Sequence, residues 1–152
     1  MMIKNNTLLK YHIKIDNFDP ISLWDMYGRR NNGGSYLKPK AKILKKQIEL
    51  LIMQQNTDKS LNNLDIIAIL EINYLLKIDK MYFKNGKMRK WDIDNQEKLI
   101  IDGIFDGLKH LNNKIDDSLL VKKTTEKKLS NNDINSLIID LEIIKDLNKS
   151  LP

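Results

Sequence analysis

The sequence contains no cysteine, which excludes disulfide bonds, thiolate nucleophiles and zinc sites built on thiolate ligands. Its two histidines, His12 and His110, are too far apart in the sequence to suggest a metal-binding pair. Apolar runs such as Ile66–Leu70 are far shorter than the roughly 20 residues that a membrane helix needs, and the amino terminus has no secretory apolar segment. We therefore expect a cytoplasmic protein that does not span a membrane.

Two common catalytic patterns are also missing, because neither a glycine-rich phosphate loop nor a Ser-His-Asp arrangement can be recognised. The chain has 152 residues, 41% of them hydrophobic and 30% charged, so we expect a single domain over residues 1–152. Its net charge of +6 comes with abundant Lys, Asn and Ile, as an AT-rich coding sequence would produce. The charge therefore raises the odds of a nucleic-acid partner only modestly.

Alternating apolar residues predict four strands. The first runs from Leu9 to Ile15, and the longest covers residues 64–76, where every even position is apolar. Shorter strands are expected over 119–123 and 137–143.

Apolar residues at helical spacing predict two main helices. Pro39 suits the first turn of a helix, where its missing N–H costs nothing, and this helix should run to about Gln54. A second helix is expected from about Asn95 to His110, because its apolar residues fall within one sector of the helical wheel.

Two further segments have turn composition. Residues 19–35 are rich in Gly and Asn and predict a long loop. Asn85-Gly86 predicts a two-residue turn within a basic hairpin over 80–91. The expected order is therefore strand, helix, strand, hairpin, helix, strand, strand.

The segment that follows Trp91 carries acidic residues suited to metal chemistry. Asp92 and Asp94 are two residues apart, so both carboxylates point to the same side if the chain is extended there. Such oxygen ligands suit a hard cation such as Mg²⁺. Asp94, Lys98 and Asp102 recur every four residues as a polar stripe. Lys98 can therefore pair with a carboxylate or meet a phosphate.

Taken singly, these residues also have purely structural explanations. Asp94 followed by Glu97 is typical of an N-cap with its capping-box partner. Lys98 is typical of an exposed network of ion pairs on a helix surface. The run Asp116-Asp117-Ser118 has a common turn composition.

Taken together, the residues resemble the signature of the RusA family of Holliday-junction resolvases. The resemblance lies in the run Asp92-x-Asp94-Asn95-x-x-Lys98-x-x-x-Asp102, followed by Asp116-Asp117 before a strand. It implies a catalytic site with three metal-binding carboxylates and a lysine, namely Asp92, Asp94, Asp117 and Lys98.

The same resemblance implies an α+β fold in which a mixed β-sheet is packed by two main helices. It also implies Mg²⁺ as cofactor, with Mn²⁺ as a possible substitute, and paired symmetric nicking of four-way DNA junctions in recombination and repair. A homodimer is implied as well, and a junction with two-fold symmetry suits an isologous pair.

Several groups of basic residues are candidates for contacts with DNA phosphates, which position a protein without reading sequence. They are Lys84, Lys87, Arg89 and Lys90 in the hairpin, Lys40, Lys42, Lys45 and Lys46 on the first helix, and Lys122 and Lys123 further on. Tyr82, Phe83 or Trp91 could stack on a base at a junction, or could pack across the hairpin.

Three other functions stay open from the sequence alone. The protein could bind junctions without cleaving them, although a pure phosphate binder gains nothing from clustered carboxylates. It could instead cleave other branched DNA. It could also be a structural α+β module whose Asp-rich helix start is only a cap, which predicts no specific binding of Mg²⁺ or Mn²⁺.

Overall fold

The structure is a computed structural model that describes residues 7–20, 26–56, 65–89 and 93–146, with only the backbone described for 93–95. Its strands are β1 (Thr7–Asp16), β2 (Tyr27–Arg29), β3 (Ser35–Leu37), β4 (Ile66–Leu76), β5 (Leu120–Leu129) and β6 (Ser136–Lys145). Its helices are α1 (Pro39–Gln55), α2 (Ile78–Met81) and α3 (Ile93–Leu108), with a 3-10 helix at Asp117–Leu119. Over these ranges, none of the helices combines the length and the apolar character required to cross a membrane.

Four strands form one mixed sheet in the order β1-β6-β4-β5. The pairs β1/β6 and β6/β4 are antiparallel, whereas β4 and β5 are parallel. Parallel neighbours need a crossover connection, which residues 77–119 supply and which includes α3. The predicted α+β fold with a mixed sheet and two main helices is confirmed.

The core lies between one face of the sheet and the helices α1 and α3. Inward and outward residues alternate along β1, where Tyr11 and Ile13 are buried and His12 and Lys14 are exposed. The even positions of β4 are buried throughout, as the sequence period predicts. The observed strands at 120–129 and 136–145 are longer than the predicted ones.

Two glycines allow α1 and α3 to approach each other closely. A Cβ atom added to Gly107 would lie 2.6 Å from the Cβ of Ile52, and one added to Gly103 would lie 2.9 Å from the carbonyl oxygen of Lys45. Both positions on α3 are buried. The four-residue spacing of the glycines places them on one face, which α1 covers.

The end of α1 is joined to the edge strand β1 by side chains. The Gln55 amide accepts from the backbone N–H of His12 at 3.1 Å and donates to the His12 carbonyl at 2.8 Å. The Tyr11 hydroxyl donates to Asn56 Oδ1 at 2.7 Å, and Asn56 Nδ2 donates to the Gly107 carbonyl at 3.2 Å. These contacts satisfy backbone groups of an edge strand and fix α1 and α3 against it.

The predicted loop over 19–35 is partly organised as a second, two-stranded sheet. β2 and β3 pair antiparallel, with Gly28 opposite Tyr36. A Cβ atom added to Gly28 would lie 2.3 Å from the Tyr36 ring. The expectation of a loop was therefore wrong for Tyr27–Arg29 and Ser35, which belong to paired strands. Glycine at position 28 permits this pairing, because any side chain there would clash with the Tyr36 ring.

The predicted hairpin turn at Asn85-Gly86 is present, but its loop has three residues rather than two. Phe83 N–H donates to the Lys87 carbonyl at 2.8 Å, and Gly86 N–H donates to the Phe83 carbonyl at 2.9 Å. Gly86 has φ +84°, as in a type I turn followed by a left-handed residue. The first residues of the predicted range 80–91 instead end α2, and residues 90 and 91 lie outside the described residues.

Candidate active site

The segment with the acidic motif enters α3 earlier than the sequence suggested. The helix begins at Ile93, so the backbone of Asp94 is helical rather than extended, and Asp94 follows the helix start instead of preceding it as an N-cap. An acidic residue is favoured there by the partial positive charge of the helix N-terminus. Asp92, the other member of the pair, lies outside the described residues.

Lys98 stands one helical turn after Asp94 and is exposed. Its neighbours Leu99 and Ile100 are buried in the core, which fixes the backbone from which Lys98 projects. Within the described side chains, Lys98 forms no ion pair, and in particular none with the half-buried Asp102. Among the described side chains, the ammonium group of Lys98 is therefore available to an external anion.

The sequence reasoning missed a contact between Glu97 and Lys123. The Glu97 side chain is only 7% exposed, and its Oε1 lies 2.9 Å from the Lys123 Nζ. The contact is an ion pair by distance, although this oxygen accepts no well-formed hydrogen bond within the described residues. It joins the start of α3 to β5, the edge strand that follows the 3-10 helix. Only the three-dimensional arrangement reveals it, since the sequence pattern favoured Glu97 as a capping-box residue.

Two adjacent aspartates differ in their hydrogen bonds. Asp116 caps the 3-10 helix, and its Oδ1 accepts from the backbone N–H of Ser118 at 2.9 Å and also from the Ser118 hydroxyl. These hydrogen bonds from Ser118 lower the pKa of the Asp116 carboxyl. Asp117 is exposed, and no described group donates to its carboxylate. The turn explanation from the sequence therefore applies to Asp116 and leaves Asp117 free for other chemistry.

The candidate metal ligands are only partly described. Among the described side chains, no group of three or more His, Asp or Glu residues converges to hold a metal ion. That set omits Asp92 and the side chain of Asp94. The remaining candidate, Asp117, presents an exposed carboxylate, which is the donor type that hard divalent cations prefer. The chemistry of the donor set fits a divalent ion.

The basic residues differ in how far their charge is already neutralised. On α1, Lys40 pairs with Asp19 at 2.6 Å, Lys45 with Asp106 at 3.3 Å, and Lys46 with Glu49 at 3.1 Å. In the hairpin, the exposed residues Lys84, Lys87 and Arg89 have no acidic partner within the described part of the chain. Neighbouring carboxylates therefore do not cancel the charge of these hairpin cations, whereas they partly neutralise Lys40, Lys45 and Lys46 on α1.

On β5, the two lysines predicted to contact DNA point to opposite faces of the sheet. Lys122 is opposite Ile69 and Lys123 is opposite Leu70 in the register with β4. Leu70 belongs to the helix-covered face, in agreement with the contact between Lys123 and Glu97. Lys122 is exposed on the other face.

The comparison with known proteins identifies the family. No individually curated protein gives a significant match. The family profile described as endodeoxyribonuclease RusA matches residues 18–142, a range that holds all four candidate site residues. Its members are divalent-metal-dependent endodeoxyribonucleases that act on branched DNA junctions. The match covers most of the chain, which therefore belongs to the RusA endodeoxyribonuclease family.

Proposed function

We propose that this protein is a Mg²⁺-dependent endonuclease that resolves four-way DNA junctions by paired symmetric nicks. It would act in recombination and repair, in the cytoplasm, with Mn²⁺ as a possible substitute metal. The catalytic residues are Asp92, Asp94, Lys98 and Asp117, of which the three aspartates hold the metal.

The observation that carries this proposal is the separation of roles between Asp116 and Asp117. One carboxylate is held by Ser118 as a cap, whereas the next is exposed and accepts from no described group. A turn needs only the first of these acids. The second lies within the range of the family match, and the resemblance found in the sequence makes it the second Asp of the signature pair.

The chain's own residues have distinct tasks in this proposal. The three carboxylates would hold the divalent ion. When bound, the divalent ion supplies charge stabilisation to the phosphate and lowers the pKa of an attacking water. Lys98 contributes a fixed positive charge that offsets the negative charge growing on the phosphate in the transition state.

The contact between Glu97 and Lys123 supports this arrangement by holding two elements together. It ties the start of α3 to Lys123 on β5, four residues beyond the 3-10 helix that contains Asp117. Catalytic groups on two separate elements need such packing to keep a fixed relative position. Glu97 is a positioning residue in this proposal and touches no substrate.

A homodimer completes the proposal. A four-way junction has two strands related by a two-fold axis, and one copy of the site reaches only one of them. An isologous dimer presents the second site in the matching orientation.

The DNA-binding surface is proposed to centre on the hairpin. Its candidate contacts are Lys84, Lys87, Arg89 and Lys90, with Lys122 and Lys123 on β5. The hairpin precedes Asp92 directly, and its described cations are not neutralised by acids, which supports phosphate binding beside the site.

The test is cleavage of a labelled synthetic four-way junction, with and without Mg²⁺, beside a linear duplex of matched sequence. We expect paired nicks only with metal, only in the junction, and not with the Asp94→Asn variant. Tight binding without any nick would instead support a junction-binding protein. Equal or better cleavage of flaps or three-way branches would assign a different branched substrate.

A further inference from the structure

The hairpin carries an aromatic side chain that the core does not use. Phe83 is 46% exposed and lies opposite Lys87 rather than opposite another apolar residue. The Arg89 guanidinium carbon lies 4.5 Å from the centre of the Phe83 ring. Phe83 therefore packs across the hairpin on the Arg89 cation rather than on another apolar side chain. Its ring is held from one face by a cation, and much of the remaining surface is open to solvent.

Phe83 lines a concavity of about 580 Å³ between α2 and the hairpin, called the hairpin concavity below. Ile78, which is 66% exposed, and Tyr82 contribute further apolar surface, while Lys84, Arg89 and one acid, Asp79, also line it. An open apolar surface of this kind favours a ligand with a flat apolar face.

The charge around the concavity restricts the ligand further. Lys84, Lys87 and Arg89 are exposed and have no acidic partner in the described ranges. Asp79 is the acid in the lining, so cations prevail there. A ligand that joins a flat apolar group to negative charges matches both features, and a nucleotide within a DNA strand is such a ligand.

We propose that the hairpin concavity binds one unstacked nucleobase of the branched DNA, which stacks on Phe83 while its flanking phosphates meet Lys84 and Lys87. This inference rests on the proposed function, because it specifies how the same site recognises its substrate. Bases at a branch point are the ones most easily unstacked, since they lack a continuous duplex on one side.

The position of the concavity suits this role. Arg89 precedes Asp92 by three residues, so their Cα atoms are at most roughly 11 Å apart. A base bound on Phe83 would therefore lie near the strand to be cut. Discrimination between a branched and a linear substrate follows, because an intact duplex offers no base to the concavity.

The experiment is a mutant cycle between protein and DNA, measured as junction affinity without cleavage. The protein carries Asp94→Asn, so that the junction stays intact, with Phe83 either present or replaced by Ala. In the DNA, each nucleotide beside the crossover is replaced in turn by an abasic site. Phe83→Tyr keeps the aromatic face, Phe83→Leu keeps apolar bulk without it, and Ile43→Ala removes an exposed apolar side chain on α1 as the matched control.

We expect Phe83→Ala and Phe83→Leu to weaken junction binding by about tenfold, in line with the loss of one stacked base. Phe83→Tyr and Ile43→Ala should bind almost normally, and duplex affinity should not change. One abasic position should weaken binding by the protein with Phe83 and have no further effect on the Ala variant. Additive effects at every position would overturn the inference, as would a change of oligomeric state in the Ala variant, which would indicate docking of a protein chain.

Failure of this inference and failure of the proposed function are distinguishable. Protein with Asp94 intact is tested in parallel for metal-dependent nicking. Paired nicks combined with an additive cycle would reject the stacking site and keep the resolvase. A coupled cycle without nicks would keep the stacking site and reject the nuclease.

Discussion

The Lys123 ammonium nitrogen lies 2.9 Å from Oε1 of Glu97, a carboxylate that is almost fully buried. The lysine itself is 56% exposed, so it covers the acid from the solvent side. A buried carboxylate without a compensating cation is costly, and the contact therefore fixes the distance between α3 and β5. Lys98, the next residue along α3, follows this anchored position directly in the chain.

Replacing Lys123 by Met should destabilise the fold by about 1–2 kcal/mol, because Glu97 would stay buried without its cation. This loss is below the roughly 3–5 kcal/mol that breaking a fully buried pair costs, since Lys123 is 56% exposed and water reaches it. The neighbouring Lys122→Met, on the opposite face of β5, is the matched control and should change stability by less than about 0.5 kcal/mol. Urea denaturation of both variants is the measurement. Equal stabilities would mean that the contact contributes nothing.

The double variant Glu97→Gln with Lys123→Met measures the interaction between these two side chains apart from their contacts with other residues. Removing both charges should recover part of the loss, since no uncompensated carboxylate remains. A loss equal to the sum of the two single variants would contradict a direct interaction between the two side chains.

Gly107→Ala should destabilise the protein by about 1–3 kcal/mol, although alanine is the better helix former. The added Cβ would lie 2.6 Å from Ile52 Cβ and 2.9 Å from the Glu49 carbonyl oxygen, so α1 and α3 would have to separate. Gln47→Ala, at an exposed position on α1, is the control and should have little effect. Thermal unfolding checks both, and a stabilised Ala variant would show that the two helices adjust freely.

Much of the fold could be predicted from hydrophobic periodicity. The even positions of β4 and the odd positions of β6 face the helices, and a period of two residues leaves no other choice once one face is buried. Pro39 marked the start of α1 correctly, because proline suits the first turn and interrupts later ones. These signals are local, so a single sequence contains them.

The features that sequence reasoning missed depend on which residues meet once the chain has folded. Glu97 meets Lys123 only because the crossover brings α3 over β5, and Gly28 accepts the Tyr36 ring only once β2 and β3 pair. The turn at Asn85-Gly86 was recognised, but its loop length depends on which carbonyl Phe83 pairs with. The candidate site was reached through the resemblance, since no periodicity distinguishes a catalytic Asp94 from a structural one.

Burial raises the pKa of Tyr11 to about 12, so its neutral phenol is favoured in the folded chain. The pKa of Tyr11 in the folded chain lies above the unfolded value of about 10. The contribution of the protonated phenol to the free energy of unfolding is therefore complete below pH 10 and is lost as the pH rises towards 12. Tyr11→Phe also loses the hydrogen bond to Asn56 and should cost about 1 kcal/mol at neutral pH.

The measurement is the difference in unfolding free energy between wild type and Tyr11→Phe across alkaline pH. That difference should shrink above about pH 10. Tyr11 then ionises in the unfolded wild-type chain while the folded chain keeps it protonated, which lowers the unfolding free energy of the wild type. The difference between the two alkaline absorbance titrations should give a phenol with a pKa near 12. A phenol that titrates near pH 10 would contradict its burial.

Salt dependence should separate the hairpin cations from those on α1. Replacing Lys84 and Lys87 by Ala should reduce the slope of log affinity against log salt by about two, because each phosphate contact releases roughly one counterion. The control replaces Lys45 and Lys46, which are already paired with Asp106 and Glu49, and should change the slope little. Equal slope changes for the two pairs would show that the hairpin is not the principal DNA surface.

The sharpest test of the active site is a comparison between two adjacent aspartates changed in the same way. Asp117→Asn should lower junction cleavage by at least about 100-fold, because a neutral amide replaces one proposed charged metal ligand. Asp116→Asn should retain cleavage, because Asn can still accept from the Ser118 N–H and keep the cap. Both variants lose one negative charge at neighbouring positions, so a general electrostatic effect on DNA binding would appear equally in both.

The measurement combines cleavage rate with a Mg²⁺ titration of melting temperature for each protein. Divalent metal should raise the melting temperature of wild type and Asp116→Asn, since binding to the folded state stabilises it, and should raise that of Asp117→Asn less. If the two variants lost cleavage and metal response to the same extent, Asp117 would have no special role. The site would then have to be built on other carboxylates, and the resemblance at Asp116-Asp117 would reflect the turn alone.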